Sequence, residues 1–286
     1  MNKANTSSNY EILISLPLLA SQPKWIVRQN DIKSLIDTFN PISLKEMEGA
    51  ALLNRVDTKF VMTLGQVQSA LQALQADYSA LSIGGQHMNH YRSLYFDTPE
   101  FTLYHDHVNG RAERYKVRSR EYTDSHLSFF EVKHKTRKNR TVKERIPTSS
   151  QVVEITPEMV SWLQGIAPIN GSLLEPKLWN TFTRVTLVSK TVSERVTLDF
   201  DLTFYSEQAT ASMDGLVIAE VKYDASRAHS PFLQQMRAQR ILPHGFSKYS
   251  IGVAMLYEHV KKNAFKPKML WLERLNGRVA NHERYC

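Results

Sequence analysis

The sequence predicts an α+β fold: a closed eight-stranded antiparallel β-barrel with a charged lumen and peripheral helices. Three observations predict it. Seven segments alternate, residue by residue, between an apolar face and a face of Arg, Lys and a few carboxylates. Helical segments are marked by an apolar stripe, over 64–78 and 247–262, or by an N-cap residue before a proline, at Thr156-Pro157 and Ser230-Pro231. The chain of 286 residues is 42% hydrophobic, with no internal repeat and no Pro- or Gly-rich linker, so one core and one domain are the simplest organisation.

The elements follow in chain order. Residues 1–30 read as an N-terminal arm, 31–262 as the domain and 263–286 as a basic C-terminal tail. The apolar run at 12–20 is about half the ~20 residues a membrane span needs, and it contains Pro17. Only Lys3 precedes it before Glu11, and Leu18-Leu19-Ala20 is a poor cleavage site, so a signal peptide is not expected. The single cysteine, Cys286, allows no intrachain disulfide or cysteine metal cluster. A reducing, cytoplasmic location is the expectation.

The first alternating strand carries Arg55, Asp57 and Lys59 on one face and Val56, Thr58 and Phe60 on the other. Val67, Ala70, Leu71, Leu74 and Tyr78 then recur at helical spacing. Residues 91–96 read as a strand ending in the turn Asp97-Thr98-Pro99. Lys116, Arg118 and Arg120 alternate with Val117 and Ser119, Glu131, Lys133 and Lys135 with Phe130, Val132 and His134, and Lys143 and Arg145 with Val142, Glu144 and Ile146. Thr156 before Pro157 opens a helix over 157–166, because proline tolerates the first helical position and threonine caps it. Arg184 alternates with Val185 and Leu187, then Arg195, Thr197, Asp199 and Asp201 with Val196, Leu198, Phe200 and Leu202, then Glu220 and Lys222 with Ala219, Val221 and Tyr223. Ser230-Pro231 opens a helix over 231–240, and a last helix over 247–262 would bury Tyr249, Val253, Leu256 and Val260.

A single such strand turns its charges to water. Repetition changes the reading, because two cations about 6 Å apart repel by about 2 to 3 kcal/mol at an effective dielectric of about 20. Clustering a dozen of them is costly unless a polyanion offsets the repulsion. About eight strands close around room for one small ligand, although an open sheet with one basic face satisfies the same alternation.

Eight strings resemble the VTC domain, the polyphosphate polymerase branch of the triphosphate tunnel metalloenzymes. In order they are Arg55-Val-Asp-Thr-Lys59-Phe, Tyr95-Phe-Asp-Thr-Pro, Lys116-Val-Arg-Ser-Arg120, Phe130-Glu-Val-Lys133, Thr141-Val-Lys-Glu-Arg145, Arg195-Val-Thr-Leu-Asp199, Ala219-Glu-Val-Lys222-Tyr and Phe246-Ser-Lys-Tyr249. Each string is weak alone, and their shared order from about residue 45 to 260 carries the resemblance. It implies a tunnel of eight antiparallel strands that binds a triphosphate with Mn²⁺ or Mg²⁺. Catalytic members transfer the γ-phosphoryl group of ATP to a growing inorganic polyphosphate chain. Carried over by motif, Lys59, Arg118, Arg120, Lys133, Lys143, Arg184, Arg195 and Lys248 would contact phosphates. Arg145 and Lys222 would join Lys133, Arg118 and Arg120 on the ATP phosphates, and Glu220 would ligate the metal. ATP and polyphosphate are thus the implied partners, with a membrane protein that receives the product and no nucleic acid.

The residue types suit that chemistry. Phosphoryl transfer needs in-line positioning and neutralisation of charge more than covalent work. Arginines hold phosphate bidentately, and lysines act as point charges. Lys248 would stand at a helix N-terminus, which adds backbone donors for phosphate. Asp57, Glu131, Asp199 and Asp201 are second candidates for metal binding or, at least as readily, for orienting the basic residues.

Two departures from the family pattern matter. A catalytic member carries a further lysine three residues before the one matching Lys248, where this chain has Gly245, so a contact is lost or supplied by His244. The triphosphatase and cyclase branches carry Glu-x-Glu-x-Lys on the first strand, where this chain has Arg55, Asp57 and Lys59, which argues against both. A non-catalytic polyphosphate or triphosphate sensor on the same tunnel is the alternative. The basic loop 133–143, with Lys135, Arg137, Lys138 and Arg140, would suit a nucleic-acid-binding module but better suits guiding a polyanion to the tunnel mouth. His87, His90, His105 and His107 have no metal-site spacing and read as surface or turn residues. The net charge of +8 divides into a basic tail, a basic lumen and a mildly acidic remainder.

Overall fold

A computed structural model describes residues 29–49, 55–138, 140–224 and 229–284, with the backbone alone at 29, 48, 49, 55 and 276–284. The expected arm, apart from residues 29 and 30, and the side chain of Arg55 lie outside the described residues. The strands are β1 (Asn40–Ile42), β2 (Arg55–Thr63), β3 (Tyr78–Leu81), β4 (Asn89–Asp97), β5 (Arg114–Tyr122), β6 (Leu127–Lys135), β7 (Thr141–Thr148), β8 (Glu175–Ser189), β9 (Glu194–Tyr205), β10 (Thr210–Ser212) and β11 (Leu216–Asp224). The helices are α1 (Gln29–Ile36), α2 (Leu44–Gly49), α3 (Leu64–Leu74), α4 (Thr102–Val108), α5 (Pro157–Ile166), α6 (Pro231–Ala238), α7 (Lys248–Leu256) and α8 (Lys266–Arg284).

Eight strands form one continuous antiparallel sheet in the order β2-β11-β9-β8-β4-β5-β6-β7, with β1, β3 and β10 added at its margin. Period-2 alternation gives the sheet two distinct faces. On the convex side, Phe60, Met62, Val185, Leu187, Val196, Leu198, Phe200, Val217, Ala219 and Val221 meet the apolar stripes of α1, α3 and α6. Farther along, Leu94, Phe96, Val117, Phe130 and Val132 meet α5 through Leu163. Both sets are the apolar halves of the alternating segments, and withdrawing each such side chain from water contributes about 1.5 to 3 kcal/mol. The charged halves therefore lie on the concave side.

The closed barrel expected from sequence is not formed: among the described residues no ladder joins β2 to β7. Two features keep the seam open. The carbonyl of Lys59, on the free edge of β2, accepts the His244 amide at 2.7 Å, so the segment before α7 occupies the place a closing strand would take. On the other side, β7 is exposed along most of its length and contains Pro147, which has no N–H to donate.

The last helix also differs from expectation. It runs only from Lys248 to Leu256 and is buried nearly all round, at Tyr249, Ser250, Ile251, Gly252, Val253 and Ala254. Such a helix belongs inside the protein. It enters the concave side and packs on Tyr95, Leu178, Phe182, Leu202, Phe204, Leu216 and Ile218. It stops where Tyr257 turns extended and its hydroxyl donates to the Lys177 carbonyl. Residues 263–284, expected within a trailing tail, form a 3-10 turn (Asn263–Phe265) and α8, and Leu272 of α8 is buried in this same cluster.

Candidate functional site

The concave face is half apolar, where α7 fills it, and half charged. The register sets the charged half in rows. Lys116, Lys133 and Lys143 stand directly opposite one another on β5, β6 and β7, and Arg118, Glu131 and Arg145 form the next row. Lys59 faces Glu220, and Lys222 faces both Asp57 and Arg195. Like charges placed directly across strands are destabilising, so the arrangement needs compensation.

Three carboxylates supply part of it, each clasped by two cations from different elements. Glu131 receives Arg118 Nη2 at 2.7 Å and Lys143 Nζ at 2.7 Å. Asp199 receives Arg184 through two hydrogen bonds of 2.6 and 2.8 Å, and Lys248 on its other side. Glu220 receives Lys59 Nζ at 3.2 Å and Lys222. Burial opposes ionisation of all three, and the cations outweigh it. Arg118, Arg120 and Lys143 bring the Glu131 carboxyl down to about 2. Arg184 and Lys248 hold Asp199, and Lys222 and Lys59 hold Glu220, well below the usual carboxylate range. Each trio keeps one positive charge in excess.

Aromatic rings and hydroxyls position the arginines. Arg118 donates to the Tyr95 hydroxyl at 3.3 Å, and Arg120 donates to Ser93 Oγ at 3.0 Å while lying over Tyr91 and Phe182. Arg145 lies 4.3 Å over Phe129. Lys248 is the first residue of α7, after the N-cap Ser247. A cation there opposes the helix dipole, and Asp199 offsets the conflict. Arg195, opposite Lys222, has Nη2 donating to the Met47 carbonyl of α2 at 3.1 Å.

Other cations have no ion-paired carboxylate among the described residues, and they line a cavity of about 600 Å³ at the seam. Its wall includes Arg114, Lys116, Lys133, Lys135 and Lys268, together with Asp57 and with Lys59, which Glu220 holds. Lys116 is fixed only by Ser247 Oγ at 2.8 Å, and Lys133 has no hydrogen-bond or ion-pair partner among the described residues. Burial first, and the Lys59 ammonium second, push the Lys133 ammonium down to about 8. Burial together with Lys133 and Lys59 holds Lys116 well below the usual lysine range. His107 of α4 reaches the same wall, and burial and Lys116 push its imidazole down to about 3, so it is neutral, with Nδ1 unpartnered.

The sequence-predicted residues thus divide. Lys59 and Lys133 line the open cavity. Arg118, Lys143, Arg184, Lys222, Glu220 and Lys248 lie in the clasped network on the same face, Arg120 lies beside it on Ser93 and the Tyr91 and Phe182 rings, Arg145 stands on β7 in the row of Arg118 and Glu131, and Arg195 is engaged by α2. Asp201 does not join Asp199. It is exposed with φ 52°, at the irregularity where the β8–β9 register slips, and the alternation reverses there so that Leu202 and Phe204 face inward. Asp97 of the Tyr95–Pro99 string is wholly buried and accepts the amides of Thr98, Leu103 and Tyr104 at 2.8 Å and the Tyr249 hydroxyl, which pins α4 and α7 to the end of β4. His87, expected at the surface or in a turn, sits in the bend between β3 and β4 and is buried, on the Leu81 carbonyl.

Sequence reasoning missed Arg114, His107 and Lys268. Arg114 was legible, since it extends the alternation of Lys116, Arg118 and Arg120 by one step. His107 and Lys268 arrive on helices that no periodicity ties to the sheet. For a metal, no group of three or more His, Cys, Asp or Glu side chains is poised among the described residues. Glu220 alone fits a Mg²⁺- or Mn²⁺-type ion that takes one carboxylate and fills its shell with phosphate oxygens and water.

Residues 54–257 match the model of the VTC domain. Among solved structures, a candidate adenylate cyclase from Bacillus halodurans is 12% identical with a TM-score of 0.45, covering 72% of this chain and 98% of that one. A candidate adenylyl cyclase from Hippeastrum, described as having a dominant triphosphatase activity, is 14% identical with a TM-score of 0.44, covering 70% and 96%. A candidate adenylate cyclase from Vibrio parahaemolyticus is 14% identical with a TM-score of 0.41, covering 69% and 97%. No activity is read from likenesses this distant. No curated protein matches.

Proposed function

The chain belongs to the VTC domain family, and from that premise we propose that it is a polyphosphate polymerase, transferring the γ-phosphoryl group of ATP to a growing inorganic polyphosphate chain. The observation that carries this reading is the open, concave face on which Lys116 and Lys133 stand without ion-paired carboxylates among the described residues while Glu131, Asp199 and Glu220 are each shared by two cations. That face carries more positive than negative charge, and a condensed phosphate supplies the balance at high density.

In this reading a terminal oxygen of the acceptor chain attacks the γ-phosphorus, a new P–O bond forms, and the bond to the β,γ-bridging oxygen breaks so that ADP leaves with the electron pair. Arg118, Arg120 and Arg184 are held by rings and carboxylates in fixed forks that suit phosphate oxygens. Lys59, Lys133, Lys143, Lys222 and Lys248, with Arg145, neutralise charge along the chain. Arg195 joins them once released from Met47. Preorganised cations of this kind act by meeting charge on the transferring group. Glu220 would hold Mn²⁺ or Mg²⁺ together with phosphate oxygens, and the ion would supply further neutralisation of that charge. A membrane protein that receives the product is the partner this activity calls for. Among the described residues no helix is long and apolar enough to cross a membrane.

The test is incubation of the pure protein with ATP and Mn²⁺. The expected product is a ladder of chains degraded by a polyphosphatase, with ADP released in equal amount. ATP and polyphosphate bound without turnover would replace the polymerase with a non-catalytic sensor. ADP and orthophosphate as sole products would make it a hydrolase.

A further inference from the structure

We infer that Lys268, on the helix that follows the family-matched segment, is a phosphate-binding residue of the seam cavity. The inference rests on the reading of that cavity as a phosphate site and adds a residue that lies beyond the 54–257 match.

Three observations place Lys268 there. Its side chain lines the cavity together with Arg114, Lys116, Lys133 and Lys135, and its ammonium donates to the carbonyl of Gly245. Gly245 is exposed, and a Cβ built on it meets nothing within 4 Å, so no side chain competes for that corner. The helix is fixed rather than draped: Leu272 is buried, Trp271 stacks on His244 with centroids 4.0 Å apart, and Phe265 packs near Tyr104.

The chemistry then separates a tether from a ligand-binding group. A lysine ammonium has three donors, and the Gly245 carbonyl uses one. Among the described residues no carboxylate pairs with Lys268, and burial lowers its proton affinity. A residue needed only to hold a carbonyl would not require a charge in a cavity already crowded with cations, where glutamine or serine would serve. A phosphate oxygen at the mouth would satisfy the two remaining donors and relieve the repulsion. Lys266 and Lys268 share a helix, yet Lys266 is exposed and lies outside the cavity wall, so the pair separates local contact from net charge.

The experiment is calorimetric titration of the full chain with tripolyphosphate in the presence of Mg²⁺. Lys268→Gln keeps a donor for the Gly245 carbonyl and removes the charge. Its affinity should fall about tenfold, the loss of one charge-assisted contact, with the melting temperature unchanged and affinity restored in Lys268→Arg. Lys266→Gln, with the same change of net charge, should bind within about twofold of the wild type. Equal affinities for Lys268→Gln and Lys266→Gln, beside a wild type that binds and a Lys133→Met variant that binds measurably more weakly, would overturn the role of Lys268 and leave the phosphate site standing. A wild type that binds no tripolyphosphate would overturn both.

Discussion

Binding of a condensed phosphate should draw protons onto Lys133. In the free protein its ammonium is pushed down to about 8, first by burial and then by Lys59, whereas an unperturbed lysine titrates near 10.4. At about pH 8.5 roughly three-quarters of the Lys133 side chains are therefore deprotonated. A polyanion in the cavity favours the charged form, so binding at that pH should take up a fraction of a proton at this residue, at most about three-quarters if the whole shift is restored and about 0.4 once screening is allowed for. Restoring the whole shift would be worth about 3 kcal/mol. Because the side chain opens to solvent through the cavity mouth, screening reduces that to about 1 kcal/mol, or roughly a fivefold loss of affinity between pH 7.5 and 10. The assay is titration with tripolyphosphate in buffers of different ionisation enthalpy, which reports proton uptake directly. Protons on the ligand itself are common to wild type and Lys133→Met, so the difference between the two proteins isolates the lysine. Equal uptake by both would refute the reasoning. In the free protein the sign follows from the same shift. The folded lysine binds fewer protons than the unfolded one between about pH 8 and 10.4, so stability should rise with pH across that window as the repulsion among Lys59, Lys116 and Lys133 relaxes.

Three further outcomes follow from the same coordinates. Glu220→Gln should abolish Mn²⁺-dependent turnover while circular dichroism and melting temperature stay near wild type, since Lys59 lines the open cavity and the glutamine oxygen still accepts from Lys222; unchanged turnover would remove Glu220 from the reaction. Asp97→Asn places an amide nitrogen against a backbone N–H in a wholly buried junction, and chemical denaturation should show a loss of about 2 to 4 kcal/mol. Gly252→Ala brings a methyl group to 2.6 Å from Leu178 Cδ2 and Phe204 Cδ1, and should destabilise by about 1 to 3 kcal/mol, with phosphate affinity lowered because Lys248 rides on the displaced helix.

The legible part of this fold was what period-2 alternation encodes. Among the described residues, the strand faces predicted from Arg, Lys and carboxylate spacing lie on the concave side apart from Asp201, with Arg195 drawn to α2 at the margin, because a one-residue shift would bury the charges and expose Val and Leu. Asp201 escaped because the slip that reverses the alternation sits on an aspartate with φ 52°, and aspartate carries no compulsory signal for that conformation. Closure was not legible either. Whether β2 meets β7 is decided by the competition of the 241–247 segment for the Lys59 carbonyl, a contact between residues some 185 apart in the chain. Helix α7 misled for a related reason. Its stripe of Tyr249, Val253 and Leu256 predicted one buried face, and only the presence of Leu178, Phe182 and Phe204 on the inward side of the sheet explains why the other faces are apolar too. The α8 contribution to the cavity rested on tertiary contacts alone, since a run of basic residues near a chain end reads first as a solvated tail.

The two-to-one ratio of cations to carboxylates resolves a conflict between stability and function. A face bearing only Lys59, Arg118, Lys143, Arg184, Lys222 and Lys248 would repel itself at every neighbouring pair by about 2 to 3 kcal/mol, more than a marginally stable domain tolerates. One carboxylate per cation would remove the repulsion and also the attraction for phosphate. Sharing each carboxylate between two cations leaves a surplus charge at three places, at Glu131, Asp199 and Glu220, spread over strands β2, β5, β6, β7, β8, β9 and β11 and over α7. An arriving phosphate can then take one cation of each trio without stripping the carboxylate bare, which would leave an unpaired buried charge. The lysines with no carboxylate stand apart from these trios, at the seam where water enters and screening lowers their cost. The open seam thus serves the same end as the shared carboxylates: it lets the protein keep, in the absence of ligand, the excess positive charge that a polyanion requires.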